Sequence, residues 1–110
     1  MTFLFSMNTY LADTSKNTLW RQVRVTESHI LLIHKDVTEF WRELGTLLRL
    51  PPGEVRRMET DYRSCRERAW RVMERWLEKK GSQATLGILA DALENENIGM
   101  RRAVEKLIGM

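Results

Sequence analysis

Between Phe40 and Ile108 the chain lays down four short apolar patterns of helical period, opened by cap-like residues and parted by only a few residues. Helices this short are marginal alone, and links this short force consecutive helices against one another, so their apolar faces must meet in a shared core. The order predicts an all-α fold, a compact bundle of short helices.

The individual segments support this. Leu19, Val23 and Val25 partly alternate with Trp20, Gln22 and Arg24, which fits a strand or a helix. Thr26, with Glu27 and Ser28 behind it, is placed to cap a first helix that carries Ile30, Leu31, Leu32 and Ile33 and ends near Lys35. Asp36 and Glu39 have capping-box spacing and predict a second helix of about three turns, with Val37, Phe40, Trp41, Leu44 and Leu48 on one stripe. Leu50-Pro51-Pro52-Gly53 must break it, because proline lacks the amide donor and keeps its predecessor out of the helical region. Pro52 then opens a short third helix with Val55, Met58 and Tyr62 turned inward. Ser64 and Glu67 repeat the capping box ahead of the longest stripe, Ala69, Val72, Met73, Trp76 and Leu77, which stops at Gly81. Leu86, Leu89, Ala90 and Leu93 form a fifth stripe, and after a polar turn at Asn95–Asn97 the residues Ala103, Val104, Leu107 and Ile108 form a sixth. The expected core rests on Trp41, Leu44, Met73, Trp76, Leu89 and Leu107.

At 110 residues and 43% hydrophobic content the chain has material for one domain with one modest core. Residues 26–110 are expected to form it, with 1–25 as an extension or linker that has no readable period. The 18 basic and 15 acidic side chains are too evenly mixed for a nucleic-acid-binding tail. Cys65 stands alone, which excludes an internal disulfide or a cysteine-rich metal site and favours a reducing, cytoplasmic setting. No apolar run approaches the roughly 20 residues that span a bilayer.

The strings WRELGTLLRLPPGEV, ERAWRVMERWLEKKGSQATLGILADAL and MRRAVEKL, in that order, resemble a death domain, a module of six antiparallel helices in Greek-key order that binds its own kind. Trp41, Leu44 and Gly45 match the tryptophan and Leu-Gly pair of the family's second helix. Met73 and Trp76 match the apolar residue and tryptophan of its fourth, followed by Gly81 and the Ala84-Thr85 start of the fifth. Arg101, Arg102, Ala103, Val104, Glu105, Lys106 and Leu107 match its closing pattern. Two features depart from it: the turn Glu94–Gly99 is longer than usual, and the first helix has no distinctive match. The resemblance implies a non-enzymatic adaptor of apoptotic or inflammatory signalling. Its partners would be other death-domain proteins, further copies of itself among them, stacked through small asymmetric interfaces.

Charge distribution shows where such interfaces can lie. Glu54 to Lys80 holds 9 basic and 6 acidic residues, whereas Gly81 to Met100 holds Asp91, Glu94 and Glu96 and no base. With Ala69, Met73 and Trp76 buried, a rotation of about 100° per residue turns Arg68, Arg71, Arg75 and Glu78 outward. Such a basic stripe suits an acidic patch on another copy. The candidate contacts are Arg56, Arg57, Asp61, Arg68, Arg71, Arg75, Asp91, Glu94, Arg101 and Arg102, each of which is equally readable as a solvated helix face. Trp70, at the rim of the fourth stripe, fits either core packing or an interface anchor, and Cys65 reads as a half-buried thiol.

His29 and His34 lie on different helix faces with no third ligand nearby, so no metal is expected. No phosphate loop, nucleophile elbow or Cys-His dyad supports catalysis, a cofactor or a small-molecule substrate. The rival from another class is a helix-turn-helix DNA binder built on LGTLLRLPPGEVRRMETDY, with Arg56 and Arg57 on the duplex. Against it, Glu54, Glu59 and Asp61 on the same short helix repel phosphates, so neither nucleic acid nor membrane insertion is expected.

Overall fold

The computed structural model describes residues 18–109. From Glu27 to Ile108 the chain forms six α-helices: α1 (Glu27–Ile33), α2 (Trp41–Leu47), α3 (Pro52–Asp61), α4 (Cys65–Lys80), α5 (Leu86–Glu94) and α6 (Arg101–Ile108), with 3₁₀ stretches at Trp20–Gln22, His34–Phe40 and Gly81–Gln83. The expected all-α bundle is what forms, and no strand occurs among the described residues. Of the expected extension 1–25, residues 1–17 lie outside them.

Helix α4 is the axis of the bundle. Its stripe of Ala69, Val72, Met73 and Trp76 is buried against the 34–40 stretch and helices α1, α2 and α3. All six expected core residues are buried, with Trp76 at 1% exposure the largest of the fully enclosed side chains. Ser64 Oγ accepts the Glu67 amide at 3.0 Å and so caps α4. At the other end Gly81, at φ +55°, ends the helix in a backbone region where a side chain would be strained. Helix α3 runs antiparallel to α4. Glu54 in its first turn meets Arg75 and Lys79, while the carbonyls of Glu59 and Tyr62 at its end accept from Arg68. The Leu44-Gly45 pair has a packing reason, since a Cβ at Gly45 would lie 3.1 Å from a methyl of Val55. A side chain there would have to push that methyl back by a few tenths of an ångström.

Several local expectations fail. Helix α1 stops at Ile33 and α2 begins only at Trp41, because the stretch between them tightens into 3₁₀ turns with a kink at Val37 (φ −111°, ψ 16°). Asp36 does not cap α2; its carboxylate takes the Lys106 ammonium of α6 at 2.8 Å. The reason is tertiary, since burying His34 and Val37 in this stretch outweighs a local capping preference. Ile108, expected on the inner stripe of α6, is 44% exposed. The ambiguous segment 19–25 is a 3₁₀ turn followed by an extended pair, joined to the start of α5 by Val25 N–H to Ala84 O and Leu86 N–H to Val23 O, both 2.8 Å. Val25 is buried there. In the 95–100 turn, Ile98 is buried in the core cluster while Gly99 takes φ +61°.

Helix α2 ends without a glycine. Leu50 N–H donates to Gly45 O and Arg49 N–H to Thr46 O, both 3.0 Å, the paired bonds of a Schellman turn whose left-handed position is occupied by Arg49 at φ +66°. A side chain there costs about 1–2 kcal/mol, part of which glycine would return to the unfolded chain as entropy. Arg49→Gly should therefore stabilise the domain by about 0.5–1 kcal/mol, read as an upward shift in thermal midpoint. Trp76→Ala should cost about 3–5 kcal/mol, a large share of a domain's marginal stability, read as a steep drop in thermal midpoint by circular dichroism.

Candidate protein interface

The candidate contacts fall into two separate regions. On α3, Arg56, Arg57 and Asp61 are exposed and take part in no ion pair among the described residues. Arg57 and Asp61 border a shallow hollow of about 250 Å³ with Glu54, Met58, Tyr62 and Arg75, so the antiparallel packing of α3 on α4 merges two local charge runs into one face. The second region is the α5–α6 end, where Asp91, Glu94, Arg101 and Arg102 are exposed.

The α4 arginines differ from one another in ways the helical wheel does not show. Arg68 is turned against the bundle. Its Nε donates to Tyr62 O at 2.8 Å, a terminal nitrogen donates to Glu59 O at 3.0 Å, and the guanidinium lies 5.4 Å from the centre of the Trp41 ring. It is a clamp that holds the end of α3 to α4, and Arg42 lies against the same tryptophan at 4.8 Å. Arg71 pairs with Glu74 at 2.9 Å and Glu67 at 3.7 Å and stacks on Tyr62 at 5.1 Å. Among the described residues its buried Nε has no hydrogen-bond partner. Arg75 pairs with Glu54 and Glu78, both at 3.2 Å. The stripe expected to be free for partners is thus largely matched by carboxylates of its own chain. Asp91 is likewise matched by Arg21 at 2.8 Å and Arg101 loosely by Glu105 at 3.7 Å, whereas Glu94 and Arg102 form no ion pair among the described residues.

The hydrogen bonds from Arg75 and then Lys79 hold the Glu54 carboxyl below its ordinary range. The same kind of pairing, Arg75 with Glu54 and Arg71 with Glu74, holds both guanidiniums still more firmly charged. Burial pushes the His29 imidazole down, in keeping with its Nδ1, which accepts the Thr26 amide at 2.9 Å and closes the start of α1.

Other singled-out residues take structural places. Trp70 is half-buried, its ring edge-on to His34 at 5.0 Å between centroids. His34 is 6% exposed and its Nδ1 donates to the carbonyls of Ile30 and Leu31 at 3.2 and 3.1 Å. Cys65, expected to be half-buried, is exposed at the first position of α4, since the inner face begins only at Ala69. Sequence reasoning passed over Arg21 and Arg49. Arg21 becomes a partner of Asp91 only through a contact 70 residues long, but Arg49 had a signal, because a helix that stops before Leu-Pro with no glycine puts some other residue in the left-handed position.

Six short helices with this order, a Trp41 wedged at the α2–α3–α4 junction and charged outer faces describe a protein-interaction module of the death fold. The chain belongs to the death domain family: the family model described as Death domain matches residues 27–110. No curated protein and no solved structure matches the chain. Among the described residues no helix is long and apolar enough to cross a membrane. Membership makes the chain a protein–protein interaction module of signalling.

Glu54 gives this face a measurable pH signature. Its folded-state pKa lies below the unfolded value, so its contribution to stability is full above the unfolded carboxyl range and fades as pH falls through that range toward the folded value. Thermal melts of the wild type and Glu54→Gln from pH 6 to pH 3 should therefore converge as the pH drops; a constant gap would show that the ion pair is not what Glu54 contributes.

Proposed function

We propose that this death domain is a non-enzymatic cytoplasmic adaptor that binds other death domains, further copies of itself included, and so assembles oligomeric complexes in apoptotic or inflammatory signalling. The observation that carries this is the separation of charge. Arg56 and Arg57 lie exposed on the α3–α4 face with no ion pair among the described residues, while Glu94 and Glu96 stand exposed at and just past the end of α5, where residues 81–100 hold no base. Two unlike patches at different places on one module favour head-to-tail contacts, which extend into open assemblies instead of closing as dimers. The candidate contacts remain Arg56, Arg57, Asp61, Arg68, Arg71, Arg75, Asp91, Glu94, Arg101 and Arg102, with residues 26–110 as the binding domain and 1–25 as an extension.

The unpaired members are the better probes. Reversing Arg71 or Arg75 sets like charges beside Glu74 or Glu54 and unsettles the fold together with the interface. Arg56→Glu with Arg57→Glu leaves those pairs alone. Sedimentation across a concentration series at about 50 and 300 mM salt should show self-association that weakens with salt, and the double reversal should lower it by about threefold to tenfold without moving the thermal midpoint. A duplex DNA titration run beside it should show no binding; a monomer that takes up duplex with a steep salt slope would replace this function with the helix-turn-helix alternative.

A further inference from the structure

Two exposed features left unused by the candidate contacts complement one another. The first is the outer face of α1. Leu31 is 63% exposed, more than any other large apolar side chain among the described residues. Glu27 lies one turn before it on the same face, and Lys35 follows one turn beyond, just past the helix end. An apolar knob thus sits between an acid and a base.

The second is a slot of about 250 Å³ at the opposite end of the bundle, between the ends of α2 and α4 and the start of α5. Leu48 and the buried Trp76 line it, and Leu47 and Ile88, the latter 46% exposed, form its apolar lips. Arg49 and Lys80 stand on its rim. On the far side of Leu47, one turn earlier on α2, Glu43 borders the adjoining hollow beside Arg42, whose own charge is matched by Glu59 at 3.0 Å. The slot therefore lies between a basic rim and an acid, the mirror of the α1 face. Glu27, Lys35, Glu43, Arg49 and Lys80 form no ion pair among the described residues. Arg49 moreover holds its rim position from a strained left-handed backbone, and such strain clusters where a side chain is needed for function.

We propose that the α1 face of one copy docks in the α2/α4/α5 slot of the next, with Leu31 between Leu47 and Ile88, Glu27 toward Arg49 and Lys80, and Lys35 toward Glu43. The inference rests on the homotypic function above and names the surfaces that would carry it. Self-insertion is excluded by distance. Leu31 sits beside His34, which packs on Trp70, whereas the slot is lined by Trp76 and Lys80, about 9 and 15 Å further along α4. Knob and slot at opposite ends can satisfy each other only between copies, and each added copy leaves one of each free. The contact is thus open-ended.

The test is a charge exchange followed by sedimentation at about 50 mM salt, with thermal melts as the folding control; all the substituted positions are exposed. Lys35→Glu and Glu43→Lys should each weaken self-association about threefold or more, and the double variant carrying both should return to within about twofold of wild type. Leu31→Asp should weaken it about tenfold. If the wild type self-associates but the single variants match it, or if they weaken it and the double variant does not recover, the two surfaces do not meet and the homotypic function stands on other contacts. A wild type that stays monomeric at every concentration overturns self-assembly as well as this contact.

Discussion

Burial of the α4 stripe is the constraint on which the rest depends. Ala69, Val72, Met73 and Trp76 reach the 34–40 stretch and helices α1, α2 and α3 at once, so each of those elements is placed by reference to α4 more than to its sequence neighbours. None of the flanking helices exceeds ten residues, and helices of that length owe their stability to packing more than to propensity. The kink at Val37 follows from the same demand. The 34–40 chain gives up regular α geometry because His34 and Val37 are worth more against α4 than a continuous hydrogen-bond ladder would be.

Charge is layered around that core. Arg68 and Arg42 flank Trp41, and Arg68 also satisfies the carbonyls at the end of α3, so these cations belong to the fold. Arg71 and Arg75 form an intermediate layer, shared with Glu67, Glu74, Glu54 and Glu78 on their own chain. Exposed pairs of this kind contribute little each, but they orient long side chains, and of the candidate arginines they leave Arg56, Arg57 and Arg102 without an ion pair among the described residues. A count of charges along the sequence cannot make this distinction, because it depends on which carboxylates the fold brings within reach.

Local rules were broken at two positions, Asp36 and Arg49. At Asp36 a capping residue is diverted to Lys106, 70 positions away, which ties the 34–40 stretch to α6. At Arg49 an arginine holds a place that glycine would hold with less strain. The first is explained by packing. The second has no packing reason, since Arg49 is exposed on a rim.

Helix number, order and inward faces were legible in the sequence because apolar period, prolines, glycines and caps are local signals. Trp41, Leu44, Met73, Trp76, Leu89 and Leu107 are all buried as their spacing requires. The family resemblance was legible for the same reason, being carried by those positions in order. Only the tertiary structure decided where α1 ends and α2 begins, that Ile108 faces outward, and which arginines are clamps, which are paired and which are free. These depend on contacts between residues tens of positions apart, such as Arg21 with Asp91 and Arg75 with Glu54. Helical period settles which side of a helix is apolar; what stands opposite that side, or opposite a charge on the other, is settled when the helices pack.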